Sequence, residues 1–195
     1  MVILLHGLGS DGRDLIELAP LMAPSLGDVV FISPDAPYDC DIAPMGYQWF
    51  SLQSWKEKDI LEGARNALPI LQDFTDGQLR RYGLPYENLV LSGFSQGAMM
   101  SILAGMKAKK KVAGVLAYSG WIPETLDIGD FKKIPVHMIH GEQDDLVPLT
   151  AWQKSVEKLK QAKFEVSGES LPCLGHSIDE RSISGGIEFL KTLGF

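Results

Sequence analysis

Short runs of β-branched and other apolar residues recur along the whole chain, and a stretch of helical periodicity separates nearly every pair of them. That alternation constrains the fold more than any other feature, because strands joined by amphipathic helices run parallel and are covered by helices on both faces. The runs place strands near Val2–Leu5, Val29–Ser33, Asn88–Ser92, Val112–Ser119, Val136–His140 and Phe164–Ser170. Helical periodicity covers about Gly12–Ala19, Asp59–Tyr82, Gln96–Ala108, Leu149–Gln161 and Ile178–Leu193. Three of the strands are nearly continuous apolar runs, the pattern of strands buried on both faces. The predicted architecture is α/β, a mostly parallel sheet between helix layers. With no repeat, linker or low-complexity tract in 195 residues, one domain over 1–195 is expected.

The chain is 45% hydrophobic and 22% charged, which is enough apolar material for a core of its own. Lys and Arg number 18 against 25 Asp and Glu, and a net charge of −7 argues against nucleic acid or an anionic membrane as main partner. Lys107, Lys109, Lys110 and Lys111 read as a solvated helix end, where cations complement the helix dipole. The longest apolar stretches fall far short of the ~20 residues a spanning helix needs, so no integral membrane contact is expected. Cys40 and Cys173 are too few for a disulfide scaffold or a four-cysteine metal site, and no HExxH spacing offers metal ligands. No basic signal region precedes the first apolar run, and a reducing, cytoplasmic setting is the expectation.

In open parallel sheets, ligands sit beyond the carboxyl ends of the strands. The segments after the strands here are HGLGSDG, SPDAPY, GFSQG, SGWIP, HGEQDDLVP and LPCLGHS, and they hold three of the four histidines. Gly93, Phe94, Ser95, Gln96 and Gly97 form GxSxG, whose small residues let a chain turn sharply from strand to helix and leave the serine hydroxyl exposed. The motif alone is weak, but LVLS before it reads as a buried strand and QGAMMSILAG after it as a helix.

A serine hydroxyl needs a base, and the base needs a carboxylate to fix its tautomer. In a sheet of this kind they come in the order Ser, Asp, His. His137 and His140 occupy the strand that must deliver the acid, which leaves His176 as base. Asp144 and Asp145 are both candidates for the acid, with Glu142 a weaker third. Acyl transfer also requires backbone N–H donors where negative charge develops. Gln96, at the start of the helix after the serine, supplies one. Leu8, in the glycine-rich loop after the first strand, is the best candidate for the other, while His6 pins that loop.

The same loop carries a rival reading. Gly7, Gly9 and Gly12 spell GxGxxG between strand and helix, with Asp35 at the end of the next strand, the outline of a dinucleotide-binding protein. A hydrolase-like fold that binds without catalysis is a further alternative. The irregular stretch from Pro34 to about Ser54 is long enough to be functional, and its Tyr38, Tyr47, Trp49 and Phe50 are candidates for a pocket wall or for a loop that packs on itself.

Taken in order, LLHGLGSDG, SPDAPY with PMGYQWFSL, GFSQGAMM, SGWIP, HGEQDDLVP and GHS resemble the acyl-protein thioesterase and small carboxylesterase family, the phospholipase/carboxylesterases of the α/β-hydrolase fold. The resemblance spans nearly the whole chain. It implies Ser95 as nucleophile, Asp144 as acid, His176 as base and the Leu8 and Gln96 N–H groups as oxyanion hole. It further implies hydrolysis of a small ester, thioester or lysolipid through an acyl-enzyme, without metal or other cofactor. The stretch from Ser119 to Val136 is too short for a lid domain, so a shallow site is expected, with Trp49, Phe50 and Trp121 as candidate walls of an acyl groove. The departure lies at the amino end, where family members carry further residues, including edge strands, before the strand matching Val2–Leu5. That bears on the sheet edge and on a possible homodimer.

Overall fold

A computed structural model describes residues 1–195, and its first strand sets the pattern for the rest. Side chains along a strand point alternately to the two faces of a sheet. In β1 (Val2–Leu5), Val2 and Leu4 enter one core and Ile3 and Leu5 the other, all fully buried. The same sorting recurs in β5 (Val90–Phe94), β6 (Gly114–Tyr118) and β7 (Pro135–Gly141), where Leu91, Val115, Ala117, Val136 and Met138 face one layer and Val90, Leu116, Tyr118 and Ile139 the other. Helices α3 (Glu57–Tyr82), α4 (Gln96–Met106) and α5 (Leu149–Gln161) cover the larger core. Helices α1 (Gly12–Leu15), α2 (Leu18–Met22) and α6 (Glu180–Thr192) cover the smaller one.

With β2 (Phe31–Ile32) and β8 (Glu165–Leu171), these strands form one parallel sheet in the order β2-β1-β5-β6-β7-β8. The register of this sheet brings distant loops together. Leu5 pairs with Gly93 and Phe94 with Tyr118, so the loops leaving β1, β5 and β6 begin side by side. Gly141 pairs with Leu171, which does the same for the loops leaving β7 and β8. Segment 119–134 holds turns only, and no lid covers the carboxyl edge of the sheet. No helix is long and apolar enough to cross a membrane.

Helix α3 obeys its expected periodicity: Ile60, Leu61, Ala64, Ala67, Leu68, Leu71, Thr75 and Leu79 form a buried stripe. It stops at Gly83, whose left-handed φ of 64° lets the Leu84 N–H reach back to the Leu79 carbonyl. The helix expected over Gly12–Ala19 is instead two short ones. Pro20 has no N–H to continue the helical ladder onto the Ile16 carbonyl, which accepts the Ala19 N–H at 2.8 Å in a tighter turn instead, and α2 restarts with Pro20 in its first turn, where no N–H is needed. Within the long irregular stretch the structure also contains a hairpin that local pattern does not reveal, β3 (Tyr38–Asp39) with β4 (Tyr47–Gln48).

His6, directly after β1, is fully buried and ties the first two crossovers together. Its Nε2 accepts the Ala36 N–H at 2.9 Å, and its Nδ1–H donates to the Gly7 carbonyl at 2.7 Å. Burial holds its pKa below the ordinary 6.5, because a charged ring would lose both water and the Ala36 bond.

This packing has consequences for stability that can be measured. A methyl on Gly97 would run into the Leu5 carbonyl, whereas one on Gly77 in α3 would meet nothing. In urea titrations Gly97→Ala should cost about 3 kcal/mol or more of stability, and Gly77→Ala should add about 0.5–1 kcal/mol. For pH, the unfolded chain takes up a proton on residue 6 before the folded protein does. Stability is therefore full above about pH 6.5 and falls as pH drops through the lowered folded value. Chemical denaturation at pH 7, 6 and 5 should give a shallower decline in His6→Gln, whose amide oxygen still accepts from Ala36. The remaining slope belongs in part to His137 and His140, which burial also pushes down.

Candidate active site

Ser95 stands between the end of β5 and the first residue of α4 with φ 53° and ψ −116°, a conformation that costs a non-glycine residue energy and persists only where its surroundings enforce it. They do so here: the Ser95 N–H donates to the Tyr118 carbonyl at 2.9 Å. A side chain at Gly93 would strike the backbone of Gly97, and one at Gly97 the ends of Leu5 and His6. The two glycines of the motif are thus the price of bringing α4 down onto β1 and β5.

Asp144 lies in the loop after β7 with its side chain wholly shielded from water. Its Oδ1 accepts the N–H groups of Leu146 at 3.0 Å and Val147 at 2.8 Å, and its Oδ2 accepts the His176 Nδ1–H at 2.7 Å. This leaves His176 Nε2 as the ring's proton acceptor. Asp145, next in sequence, is exposed. The loops that carry Asp144 and His176 are stitched together by Gln143 N–H to the Leu174 carbonyl at 2.9 Å and Glu142 N–H to the Leu171 carbonyl at 3.0 Å. Gly141 permits this, since a side chain there would collide with the carbonyls of Leu174 and Gly175. The imidazole of His176 packs 4.8 Å from the ring of Phe94, beside Ser95, and no direct hydrogen bond joins Ser95 to His176.

The loop after β1 reaches the same place. A methyl on Gly7 would lie 3.2 Å from the Phe94 ring and 3.5 Å from Ser95 Cβ, so this loop passes directly against the serine. The Leu8 N–H has no hydrogen-bond partner in the protein. The Gln96 N–H opens α4, where the first amides lack intrahelical acceptors. The glycines read as GxGxxG have other work: Gly12 N–H donates to Asp35 Oδ1 at 2.8 Å, and Gly12 opens a helix of only four residues. The free helix N-terminus that a pyrophosphate would need is therefore already taken.

Sequence reasoning missed the role of the Gln96 side chain. Its Oε1 accepts the Trp49 N–H at 2.8 Å and its Nε2 donates to the Phe50 carbonyl at 2.7 Å. The same segment is strapped to the loop after β1 by Gly9 N–H to Tyr47 O at 2.9 Å, Tyr47 N–H to Ser10 O at 2.8 Å and Trp49 Nε1–H to His6 O at 3.0 Å. Trp49 and Phe50, expected as candidate groove walls, are consequently 2% and 1% exposed and belong to the larger core. The reason is this clamp, with Gly63 making room for the Phe50 side chain. Trp121 differs. It lies beyond β6, remains partly exposed and lines a narrow apolar slot with Ile60, Leu61, Met99, Ile122 and Leu126. Met99 lies one helical turn from Ser95.

Known proteins resemble this chain over nearly its whole length. The family model for phospholipase/carboxylesterase matches residues 1–194. Acyl-protein thioesterase 1 of Gibberella zeae is 30% identical, over 97% of this chain and 88% of the relative, and that of Cryptococcus neoformans is 32% identical, over 82% and 72%. The crystal structure of esterase PE8 superposes with a TM-score of 0.92 at 34% identity, covering 98% of this chain and 91% of that one. That of Arabidopsis thaliana SOBER1 gives 0.80 at 25% identity, over 100% and 98%. Sheet order, the turn at Ser95 and the match over almost every residue lead to one conclusion: the chain belongs to the phospholipase/carboxylesterase family of α/β-hydrolases, as an enzyme of the serine esterase and thioesterase kind.

Proposed function

We propose that residues 1–195 act as one hydrolase unit that cleaves carboxylic esters or thioesters through an acyl-enzyme on Ser95. The observation that carries this reading is the 2.7 Å bond from His176 Nδ1 to a water-free Asp144, which turns the other ring nitrogen into a base beside a serine on a strained turn. Ser95 Oγ attacks the acyl carbon while its proton passes to His176 Nε2. The carbonyl oxygen, now negative, is held by the N–H groups of Leu8 and Gln96. The tetrahedral intermediate collapses, and the alcohol or thiol leaves with the proton from His176. A water then gives its proton to the same nitrogen and attacks the acyl carbon; the second tetrahedral intermediate collapses, the Ser95 Oγ–acyl bond breaks, His176 returns the proton to Ser95 Oγ, and the acid leaves. Catalytic hydrogen bonds commonly tighten when substrate is bound, which accounts for a serine and histidine not yet joined by one.

The apolar slot beside Trp121 and Met99 supports an acyl chain as the part of the substrate that is recognised. Trp49 and Phe50 contribute by holding the loop, not by touching the chain. Among candidate substrates we place acyl thioesters first, because several relatives are named acyl-protein thioesterases, with simple carboxylic esters and lysolipids to be compared against them.

Turnover of an aryl ester and labelling by a fluorophosphonate should both vanish in Ser95→Ala. Asp144→Asn should lower kcat steeply, by up to about 10⁴-fold if the wrong tautomer of His176 results. Asp145→Asn should stay within about tenfold, equivalent to at most ~1.4 kcal/mol of barrier. His176→Gln should lower kcat steeply as well, because an amide has no basic nitrogen to take the Ser95 proton. Undiminished turnover in Ser95→Ala would remove the serine mechanism, and equal losses at residues 144 and 145 would reassign the acid.

A further inference from the structure

We infer that His140 is a positioning residue for the acid of this site, an inference that rests on the roles proposed for Ser95, His176 and Asp144. His140 stands at the next-to-last position of β7, and its side chain, like that of Asp144, is wholly buried. Its Nε2 lies 2.8 Å from the Val147 carbonyl oxygen. A carbonyl can only accept, so Nε2 carries the proton, and Nδ1 is left without a partner. The same N–H lies 3.6 Å from Asp144 Oδ2, the oxygen that accepts from His176. The ring is backed by Trp152, with centroids 6.2 Å apart and planes 25° from parallel.

The consequence is a closed loop of contacts around one carboxylate. Residues 144–147 form a turn whose Leu146 and Val147 N–H groups hold Asp144 Oδ1. His140 holds the far side of that turn through the Val147 carbonyl. Released from His140, the end of the turn is free to rotate, its N–H groups swing away from Oδ1, and Oδ2 loses its aim at His176. Two imidazoles therefore address a single carboxylate oxygen. His176 donates to it and becomes charged during the reaction, whereas His140 stays neutral and presents only the positive end of an N–H dipole. A neutral partner suits the position, since a permanent cation at Oδ2 would compete with the imidazolium that the acid has to stabilise.

The test is a double-mutant cycle in the full chain on one ester, with His140→Phe, Asp144→Asn and the double variant, together with His140→Gln, whose amide N–H reaches about where Nε2–H does. Proton NMR adds a readout independent of turnover, the low-field imidazole N–H resonance of the His176–Asp144 bond. His140→Phe should lower kcat about tenfold or more with KM within about twofold, and should move or broaden that resonance. In the Asp144→Asn background the same change should cost less than about twofold, because a residue that acts through Asp144 has nothing left to position. His140→Gln should return kcat to within about threefold of the parent. If the apolar ring prevents folding, His140→Asn, too short to reach the Val147 carbonyl, takes its place in the cycle. An equal cost of His140→Phe in both backgrounds, an unmoved resonance, or a His140→Gln variant as slow as His140→Phe overturns the inference while leaving the triad standing. If Asp144→Asn itself has full activity, the reading of the site fails, and this inference fails with it.

Discussion

The close approach of the first turn of α4 to the ends of β1 and β5 is the constraint on which the rest of the site depends. Backbone meets backbone at Gly93, Gly97, Leu5 and His6, with no room for a Cβ at either glycine. Once that contact is made, Ser95 has no choice but a positive φ, and its side chain is pushed out at the carboxyl edge of the sheet. The contact also decides where Gln96 lies. Its amide is buried against the Trp49–Phe50 peptides, and these are tied through Tyr47 and Trp49 to the glycine loop after β1. One packing event thus orients Ser95 and fixes the Trp49–Phe50 segment and the glycine loop on either side of it.

The loops that carry Asp144 and His176 use the same device at a second place in the sheet. Gly141 ends β7 as Gly93 nears the end of β5, and here too a missing side chain lets two loops close to hydrogen-bonding distance. What differs is the kind of rigidity obtained. Around Ser95 the backbone is strained and held down by packing. Around Asp144 it is relaxed and held by a dense set of donors: Leu146, Val147 and His176 on the carboxylate, with His140 behind the turn. A nucleophile gains from being thrust forward, whereas an orienting acid gains from being unable to move.

Much of this is legible in the sequence because it rests on local pattern. The apolar runs locate the strands within a few residues, and GxSxG between a buried strand and a helix marks the turn. Chain position is enough for the order of Ser95, an acid at 144 or 145 and His176, whereas the choice of Asp144 comes from the family resemblance. What cannot be read depends on pairings distant in sequence. Trp49 and Phe50 sit in a stretch rich in proline and glycine, where exposed aromatics look like a pocket wall. They are core residues because Gln96 binds their peptides from 46 and 47 positions away. The hairpin of β3 and β4 is two residues long on each side, too short for alternation to register, and it exists because Gly9 and Ser10 pair with Tyr47. His140 reads as part of a strand, which is correct, and nothing local distinguishes a strand histidine that faces apolar neighbours from one that faces a carboxylate.

Asp144 and Asp145 state the physical logic most directly, since they are the same residue type side by side and meet opposite fates. A carboxylate kept from water is destabilised by several kcal/mol unless donors surround it. Asp145 avoids the cost by staying exposed, whereas Asp144 meets it with two amides on Oδ1 and an imidazole N–H on Oδ2. That requirement runs in both directions. Because Oδ2 needs a donor, His176 must place its proton on Nδ1, and because an imidazole that is neutral carries one proton, Nε2 must then be bare. The tautomer on which a serine mechanism depends is therefore set in the ground state by the desolvation of the acid, before any substrate arrives. On the proposed mechanism, shielding Asp144 from water is what readies His176 as the base, and the turn that encloses the carboxylate is part of that chemistry.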